Sequence, residues 1–137
     1  TRAMLVGEPI PVFNHGRLER DFTYIDDIVA GVLAVLDRAP DGATPQRLLN
    51  IGGSTPVLLL DFIRTLESTL GVRAELRMLP MQPGDVDATW ADSARLDALV
   101  GRPHDYVPLA TGLRHFVDWY HQHARGIGGH ANRAATA

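Results

Sequence analysis

The chain has 137 residues, of which 45% are hydrophobic and 21% charged, a composition typical of one globular domain. Its formal net charge of −3 argues against a nucleic-acid partner, because binding along a phosphate backbone relies on a broad basic surface. No cysteine is present and all 13 basic residues are arginines, which excludes cysteine nucleophiles, thiolate metal sites and any lysine-dependent step within this chain alone.

The hydropathy pattern predicts no membrane partner. No apolar run approaches the ~20 residues that span a bilayer. The start, "TRAMLVGEPI", lacks the charged-then-apolar pattern of a signal peptide. We therefore expect a cytoplasmic protein.

The first predicted elements are the end of a helix and two short strands. Gly7 follows apolar Met4 and Leu5 and occupies the position where glycine commonly ends a helix, so we expect the chain to begin inside an element. "IPVF" is a strand pattern that stops at the turn-forming "NHG". In "RDFTYI", aromatic residues alternate with polar ones, as in a half-buried strand.

Two helices are predicted in the middle of the chain. From Asp26 an apolar stripe at helical spacing runs to Leu36, with Asp26 or Asp27 as N-cap and Pro40 beyond its end. "RLLNIGG" is predicted as a short buried strand that runs into a glycine turn. The next helix begins near Leu59 and is closed by Gly71.

The last third is predicted to hold one strand and two helices. "AELRML" alternates as a strand, and a loop follows it. Asp92 is expected to cap a short helix that ends at Gly101, and the stripe from Leu109 to Tyr120 predicts a longer one. Residues 125–137 are small and polar, so we expect a disordered tail. Alternating strands and helices indicate an α/β or α+β fold, with too few strands for a self-sufficient doubly wound sheet.

A local basic patch around Arg20 is the first candidate site. Arg17 and Arg20 flank a tight turn, and Phe22 and Tyr24 follow. A guanidinium fork suits phosphate and an aromatic ring suits a base, so the patch could hold a nucleoside diphosphate. On spacing alone, a surface ion pair of Arg20 with Asp21 or Asp27 is the favoured interpretation.

Three further clusters carry weaker indications. The aspartates of "PGDVDATWAD" do not have calcium-loop spacing, so turn and cap roles are favoured, although Asp85 could accept a hydrogen bond from a ribose. "NIGGS" lacks both the dinucleotide and the P-loop pattern, which favours a plain strand-to-helix turn. His121 and His123 lack the i, i+4 spacing of a helical zinc site, and we expect no metal.

A family resemblance links these segments. "PIPVFNHGRLERDFTYIDDIVAGV", "NIGGSTPVLLLDFI", "LPMQPGDVDATWAD" and "GLRHFVDWY" occur in this order. Together they resemble the C-terminal part of the NAD-dependent epimerase/dehydratase family, the extended short-chain dehydrogenases/reductases, and within it most resemble the UDP-glucuronate 4-epimerases. The resemblance covers residues 1–124. It implies an α/β substrate-binding lobe that is incomplete without an N-terminal Rossmann part.

The resemblance implies a division of labour within the parent enzyme, which is expected to be a homodimer. The Rossmann part holds NAD and carries a Tyr-x-x-x-Lys pair, while the C-terminal part binds the UDP-sugar. Arg20 then corresponds to the residue at the pyrophosphate, and Phe22 follows it in the nucleotide pocket. The other implied substrate-binding residues are Val12 and Phe13 beside uracil, and Gln82 and Asp85 at the phosphate and ribose.

This chain departs from the family pattern in its catalytic residues. It has no G-x-x-G-x-x-G run for NAD and no lysine, so we expect no catalytic residue here and no activity from the chain by itself. Two alternatives remain open. The chain could be a non-enzymatic UDP-sugar-binding module or remnant, or it could be a fragment of another nucleotide-sugar epimerase or 4,6-dehydratase.

Overall fold

The computed structural model describes residues 1–41, 43, 45–101 and 105–127. Within this part, short strands alternate with helices in an α/β arrangement. The helices are α1 (Arg2–Val6), α2 (Ile25–Leu36), α3 (Leu59–Leu70), α4 (Ala94–Val100) and α5 (Leu109–Ile127). The strands are β1 (Ile10–Val12), β2 (Glu19–Arg20), β3 (Val57–Leu58), β4 (Leu76–Met78) and β5 (Ala88–Thr89).

Two small sheets hold the strands. β1 pairs with β4 in parallel, and Val12 lies opposite Met78. In the second sheet β2 is central, antiparallel to β3 and parallel to β5. Arg20 lies opposite Val57 on one side and Thr89 on the other. The two flanking strands, β3 and β5, therefore hold the backbone of Arg20 from both sides.

The core lies where α3 and α5 pack against each other and against α1. Its fully buried members are Met4, Leu66, Leu113 and Val117. Partly buried side chains that pack on them are those of Ile10, Phe62, Leu70, Val72, Ala74 and Leu109. The stripes predicted for α3 and α5 thus face each other, as expected for amphipathic helices.

The predicted helix ends after α1, α3 and α4 are confirmed. Gly7, Gly71 and Gly101 follow these helices in the left-handed conformation. The N-cap of α4 is Ser93 rather than the predicted Asp92, although Oδ1 of Asp92 accepts the N–H of Ala94 at 3.0 Å. Local cap signals therefore located these helix boundaries.

The predicted N-cap of α2 is wrong. The residue before the helix is Tyr24, which makes no side-chain cap bond. Asp27 is instead buried, 4% exposed, and its Oδ2 accepts the N–H of Val107 at 3.0 Å. The carboxylate that local reasoning assigned to the helix end thus bonds the backbone of a residue 80 positions away in sequence.

Two strand predictions are corrected. Only Glu19–Arg20 of the second strand region is a strand, because Asp21 and Thr23 bond other loops through their side chains. "RLLNIGG" forms no strand in the described structure, and Leu48 is 79% exposed. A strand needs a partner edge for its N–H and C=O groups, and the described residues offer none here.

The boundary of the predicted tail shifts. α5 extends to Ile127, beyond the predicted boundary at residue 124, because helix propagation from a packed amphipathic stretch costs little per residue. Residues 128–137 lie outside the described residues, so their predicted disorder stays a prediction. Among the described helices, none is both long and apolar enough to cross a membrane.

α2 presents an apolar face to solvent. It buries Asp27 and Gly31, and a Cβ on Gly31 would lie 2.8 Å from the Ile51 side chain. The opposite face is exposed, and it comprises Ile25, Val29, Val32, Leu33 and Leu36. A contiguous apolar surface of this kind marks a site of contact with another protein segment.

We expect this face to bind an apolar fluorescent dye in the native state, together with a broad thermal transition of the isolated chain. Leu33→Gln with Leu36→Gln should lower dye fluorescence without lowering the unfolding temperature, because these side chains are 61% and 70% exposed. Val6→Gln is the control, since Val6 is 60% exposed but lies on α1. A sharp, monomeric, dye-silent transition of the unmodified chain would contradict this expectation.

Candidate functional site

Arg20 lies at the end of β2, where the loop of residues 85–87 and the carbonyl of Glu19 surround its guanidinium. Nη2 donates to Oδ1 of Asp85 at 2.9 Å and to the carbonyl of Val86 at 3.0 Å. Nη1 donates to the carbonyls of Glu19 at 2.8 Å and Asp87 at 3.3 Å. The structure thus joins two of the predicted site residues, Arg20 and Asp85, in one ion pair.

The partner of Arg20 differs from the one that spacing favoured. Neither Asp21 nor Asp27 pairs with it, since the carboxylates of both accept backbone N–H groups. The Arg20 and Asp85 side chains are 27% and 29% exposed, so solvent and ligands can reach the pair. An accessible guanidinium held in a fixed plane is suited to a phosphate group.

The turn between β1 and β2 connects to the same loop. Asn14 and His15 have φ values of 47° and 50°, and Gly16 follows at 78°. Nδ2 of Asn14 donates to Oδ1 of Asp87 at 3.1 Å. Asn14 therefore ties the turn to the loop that holds Arg20. Sequence reasoning missed this contact, and the one local indication of it is the turn-forming "NHG".

A cavity of about 560 Å³ opens beside this loop. Its lining residues are Asn14, Arg17, Glu19, Asp87 and Ala88. Arg17 is exposed and, within the described chain, forms no ion pair. The cavity thus places a second guanidinium near the Arg20 patch, as the spacing of the two arginines suggested.

The described hydrogen bonds of the Arg20 side chain reach none of the other predicted site residues. Val12 is 1% exposed and belongs to the interior, while Phe13 is half-buried at the start of the turn. Gln82 is exposed, and its backbone carbonyl accepts the N–H of Asp85 at 3.2 Å. Phe22 stacks on Phe62, with ring centroids 4.1 Å apart.

Phe22 faces a separate, largely apolar cavity of about 390 Å³. Residues 21–24, α3 and α5 form its walls, and the lining side chains include Phe62, Val107, Leu109, Leu113 and Phe116. The ring of Phe22 therefore packs on α3 at the edge of this cavity.

The glycine turn "NIGGS" bonds the segment that follows Arg20. Its N–H groups at Gly53 and Ser54 donate to Oγ1 of Thr23 at 3.1 Å and Oδ2 of Asp21 at 3.0 Å. Both N–H groups therefore stabilise the turn itself by bonding the segment of residues 21–23. The favoured interpretation as a plain turn is supported.

Two described histidines pack against aromatic rings. Among the described residues, no group of three or more His, Asp or Glu side chains is placed to bind a metal. His115 instead packs edge-on against Tyr24, with centroids 5.4 Å apart. His123 stacks on Trp119 at 5.1 Å.

Comparisons with known proteins relate the chain to nucleotide-sugar enzymes. The family model for the NAD dependent epimerase/dehydratase family matches residues 1–52. A probable UDP-glucuronate 4-epimerase of Rhizobium meliloti is 40% identical over 87% of this chain and 39% of its own length. An uncharacterized 37.6 kDa protein encoded in the cld 5' region of Escherichia coli O111:H- is 42% identical over 88% of this chain and 40% of its own.

A solved structure shares the fold. UDP-glucuronic acid 4-epimerase from Bacillus cereus, in complex with UDP-glucuronic acid and NAD, superposes with a TM-score of 0.75 and 34% identity. The match covers 88% of this chain and 38% of the Bacillus chain. The chain therefore has the α/β fold of the nucleotide-sugar epimerases and dehydratases, and it spans about 40% of the length of the relatives it matches.

The chain is similar to members of the NAD-dependent epimerase/dehydratase family, whose model matches residues 1–52. Within that family it is similar to the UDP-glucuronate 4-epimerases.

Proposed function

We propose that the chain is the UDP-sugar-binding C-terminal part of an NAD-dependent nucleotide-sugar 4-epimerase that interconverts UDP-glucuronate and UDP-galacturonate. The observation that carries the proposal is the accessible Arg20–Asp85 pair, formed by two motifs that resemble the family's UDP-binding segments. Residues 1–124 are the proposed binding part. Cytoplasmic location and a homodimeric parent stay predictions.

The reaction passes through a 4-keto sugar, and the ring must then turn to present its other face. A firm hold on the nucleotide with a loose hold on the sugar permits this, since binding energy from the remote UDP orients the reacting carbon. NAD supplies the hydride chemistry in such enzymes. We assign the dinucleotide and the proton transfer to other residues of the parent protein, because this sequence has no G-x-x-G-x-x-G run and no lysine.

On UDP binding, the diphosphate takes the place of the Asp85 carboxylate on Arg20. The three carbonyls that hold the guanidinium keep it in position during this exchange. The freed Asp85 carboxylate then accepts a hydrogen bond from the ribose. Phosphate and carboxylate both suit the planar guanidinium, so the exchange replaces one charge-assisted contact with another.

The exposed face of α2 and the extended residues 47–51 form the proposed contact with the rest of the parent protein. The α2 face is apolar, and residues 47–51 contribute the exposed side chain of Leu48, as Leu33 and Leu36 are exposed on α2. A further strand added along residues 47–51 would satisfy their backbone groups. This explains why "RLLNIGG" has a strand pattern without forming a strand here.

We expect no conversion of UDP-glucuronate to UDP-galacturonate by the purified chain, with or without added NAD. No lysine is present to assist proton removal from the 4-hydroxyl. Product analysis by chromatography measures this directly. Turnover by the chain alone would contradict the assignment of chemistry to residues outside it.

A hybrid enzyme tests the positive half of the proposal. In it, this chain replaces the matching segment of the Bacillus cereus enzyme, and UDP-glucuronate should then be epimerised. A folded hybrid that binds NAD but not UDP would show that the chain is not a UDP-sugar-binding part. Dehydration of the substrate in place of epimerisation would favour the dehydratase alternative.

A further inference from the structure

Asp21 connects three segments immediately after the Arg20 strand. Its Oδ2 accepts the N–H of Ser54 at 3.0 Å and the N–H of Ala91 at 3.1 Å. Its own N–H donates to the carbonyl of Thr89 at 3.1 Å. One carboxylate therefore joins the ends of β2 and β5 to the glycine turn.

The glycine turn closes tightly around this carboxylate. A Cβ on Gly52 would lie 3.0 Å from Oδ2 of Asp21 and 2.5 Å from the Cβ of Ala91. Ser54 has a φ of 53°, a conformation that L residues rarely adopt. Its Oγ donates to the carbonyl of Ala91 at 2.7 Å. The turn is thus held in an uncommon conformation by contacts that converge on Asp21 and its neighbour strand.

The network bears directly on Arg20. Asp21 is the next residue in the chain, and β5 is the continuation of the 85–87 loop whose oxygens hold the guanidinium. If β5 shifted along β2, the carbonyls of Val86 and Asp87 would move relative to Nη1 and Nη2. The register of β2 and β5 therefore sets the position of the guanidinium.

We propose that Asp21 is a positioning residue for diphosphate binding: its carboxylate fixes β2 and β5 in register so that the 85–87 loop holds Arg20 in place for the phosphates. The inference rests on the proposed UDP-binding function. Asp21 touches no ligand itself and acts through Arg20. Its bonds go to backbone N–H groups, so they constrain the main chain directly.

The test compares UDP with uridine, which lacks the phosphates, by titration of the isotope-labelled chain followed by NMR. The dissociation constant of uridine divided by that of UDP measures how much the phosphates contribute to binding. Asp21→Ala should lower this ratio about tenfold, while Asp21→Asn should retain most of it, because an amide oxygen can still accept both N–H groups. Thr23→Val is the matched control, since it removes a bond to the same turn at Gly53 without touching β5.

A double-mutant cycle separates positioning from a merely structural role. If Asp21 acts through Arg20, then Asp21→Ala should change the ratio little once Arg20→Ala is present. An additive loss, or an unchanged ratio in folded Asp21→Ala, overturns the proposal. An equal loss in Thr23→Val also overturns it, because general loosening of the turn would then suffice.

A measurement on the unmodified chain covers the case in which Asp21→Ala does not fold. Coupling is reciprocal, so saturating UDP should slow hydrogen exchange at the Ser54 and Ala91 amides several-fold more than saturating uridine. Equal exchange with both ligands overturns the proposal. Absence of UDP binding by the unmodified chain overturns the proposed function and this inference together, whereas UDP binding that depends on Arg20 but not on Asp21 overturns this inference alone.

Discussion

Arg20→Ala is expected to weaken UDP binding by roughly ten- to more than a hundredfold. A hydrogen bond to a charged group contributes on the order of 1.5–3 kcal/mol, and 1.4 kcal/mol is about tenfold in a dissociation constant. Arg20→Lys should recover only part of the loss. Lysine keeps the charge but not the planar fork, which here contacts Asp85 and three carbonyls at once.

Calorimetric titration of UDP at fixed salt measures the effect, and Arg17→Ala is the comparison. Arg17 lines the neighbouring cavity without an ion pair among the described residues. Loss of binding in Arg17→Ala but not in Arg20→Ala would show that the patch binds UDP through the other arginine. If neither change matters, the Arg20–Asp85 pair only holds the loop together.

Gly16→Ala is expected to destabilise the chain by about 2 to 5 kcal/mol. Gly16 has a φ of 78°, and a side chain in the left-handed region costs roughly 1–2 kcal/mol. A Cβ there would also lie 2.5 Å from Cγ of Leu60, and overpacking adds about 1–3 kcal/mol. Because Leu60 belongs to α3, the helix or the turn must shift. Urea unfolding followed by circular dichroism gives the free energy of unfolding.

Gly7→Ala is the matched control for this effect. Gly7 has a similar φ of 71°, but no atom lies within 4 Å of an added Cβ. It should lose only the conformational part, about 1–2 kcal/mol. Equal losses in the two variants would show that Leu60 yields freely and that the close approach of α3 to the turn carries no energy.

Much of the helical structure could be predicted from the sequence, because the signals for it are local. Apolar stripes at helical spacing identified α3 and α5, and glycines marked the helix ends at Gly7, Gly71 and Gly101. A helix bonds residues close in sequence, so periodicity and caps suffice to locate it. The absence of lysine likewise determined from composition alone that the family's catalytic pair is not in this chain.

The strands and the candidate site depended on distant partners. The motifs that resemble the family named Arg20 and Asp85, but spacing favoured Asp21 or Asp27 as the ion-pair partner. The real partner lies 65 residues further along the chain. Pairing of β2 with β5 was also missed, because a two-residue strand inside a loop has no periodicity to detect.

Composition and motif order are read directly from the chain, and the glycine-marked helix ends depend on neighbouring residues. The sequence by itself therefore determined all three. Tertiary structure decided which groups each polar side chain bonds. Asp27 accepts the N–H of Val107 instead of capping the helix, and Asp21 accepts N–H groups of two loops instead of pairing with Arg20. It also decided that Phe22 stacks on Phe62 of α3 and that "RLLNIGG" forms no strand with the other described residues. A carboxylate binds whichever donors the fold brings within about 3 Å of it, and a strand forms only where a second edge is present.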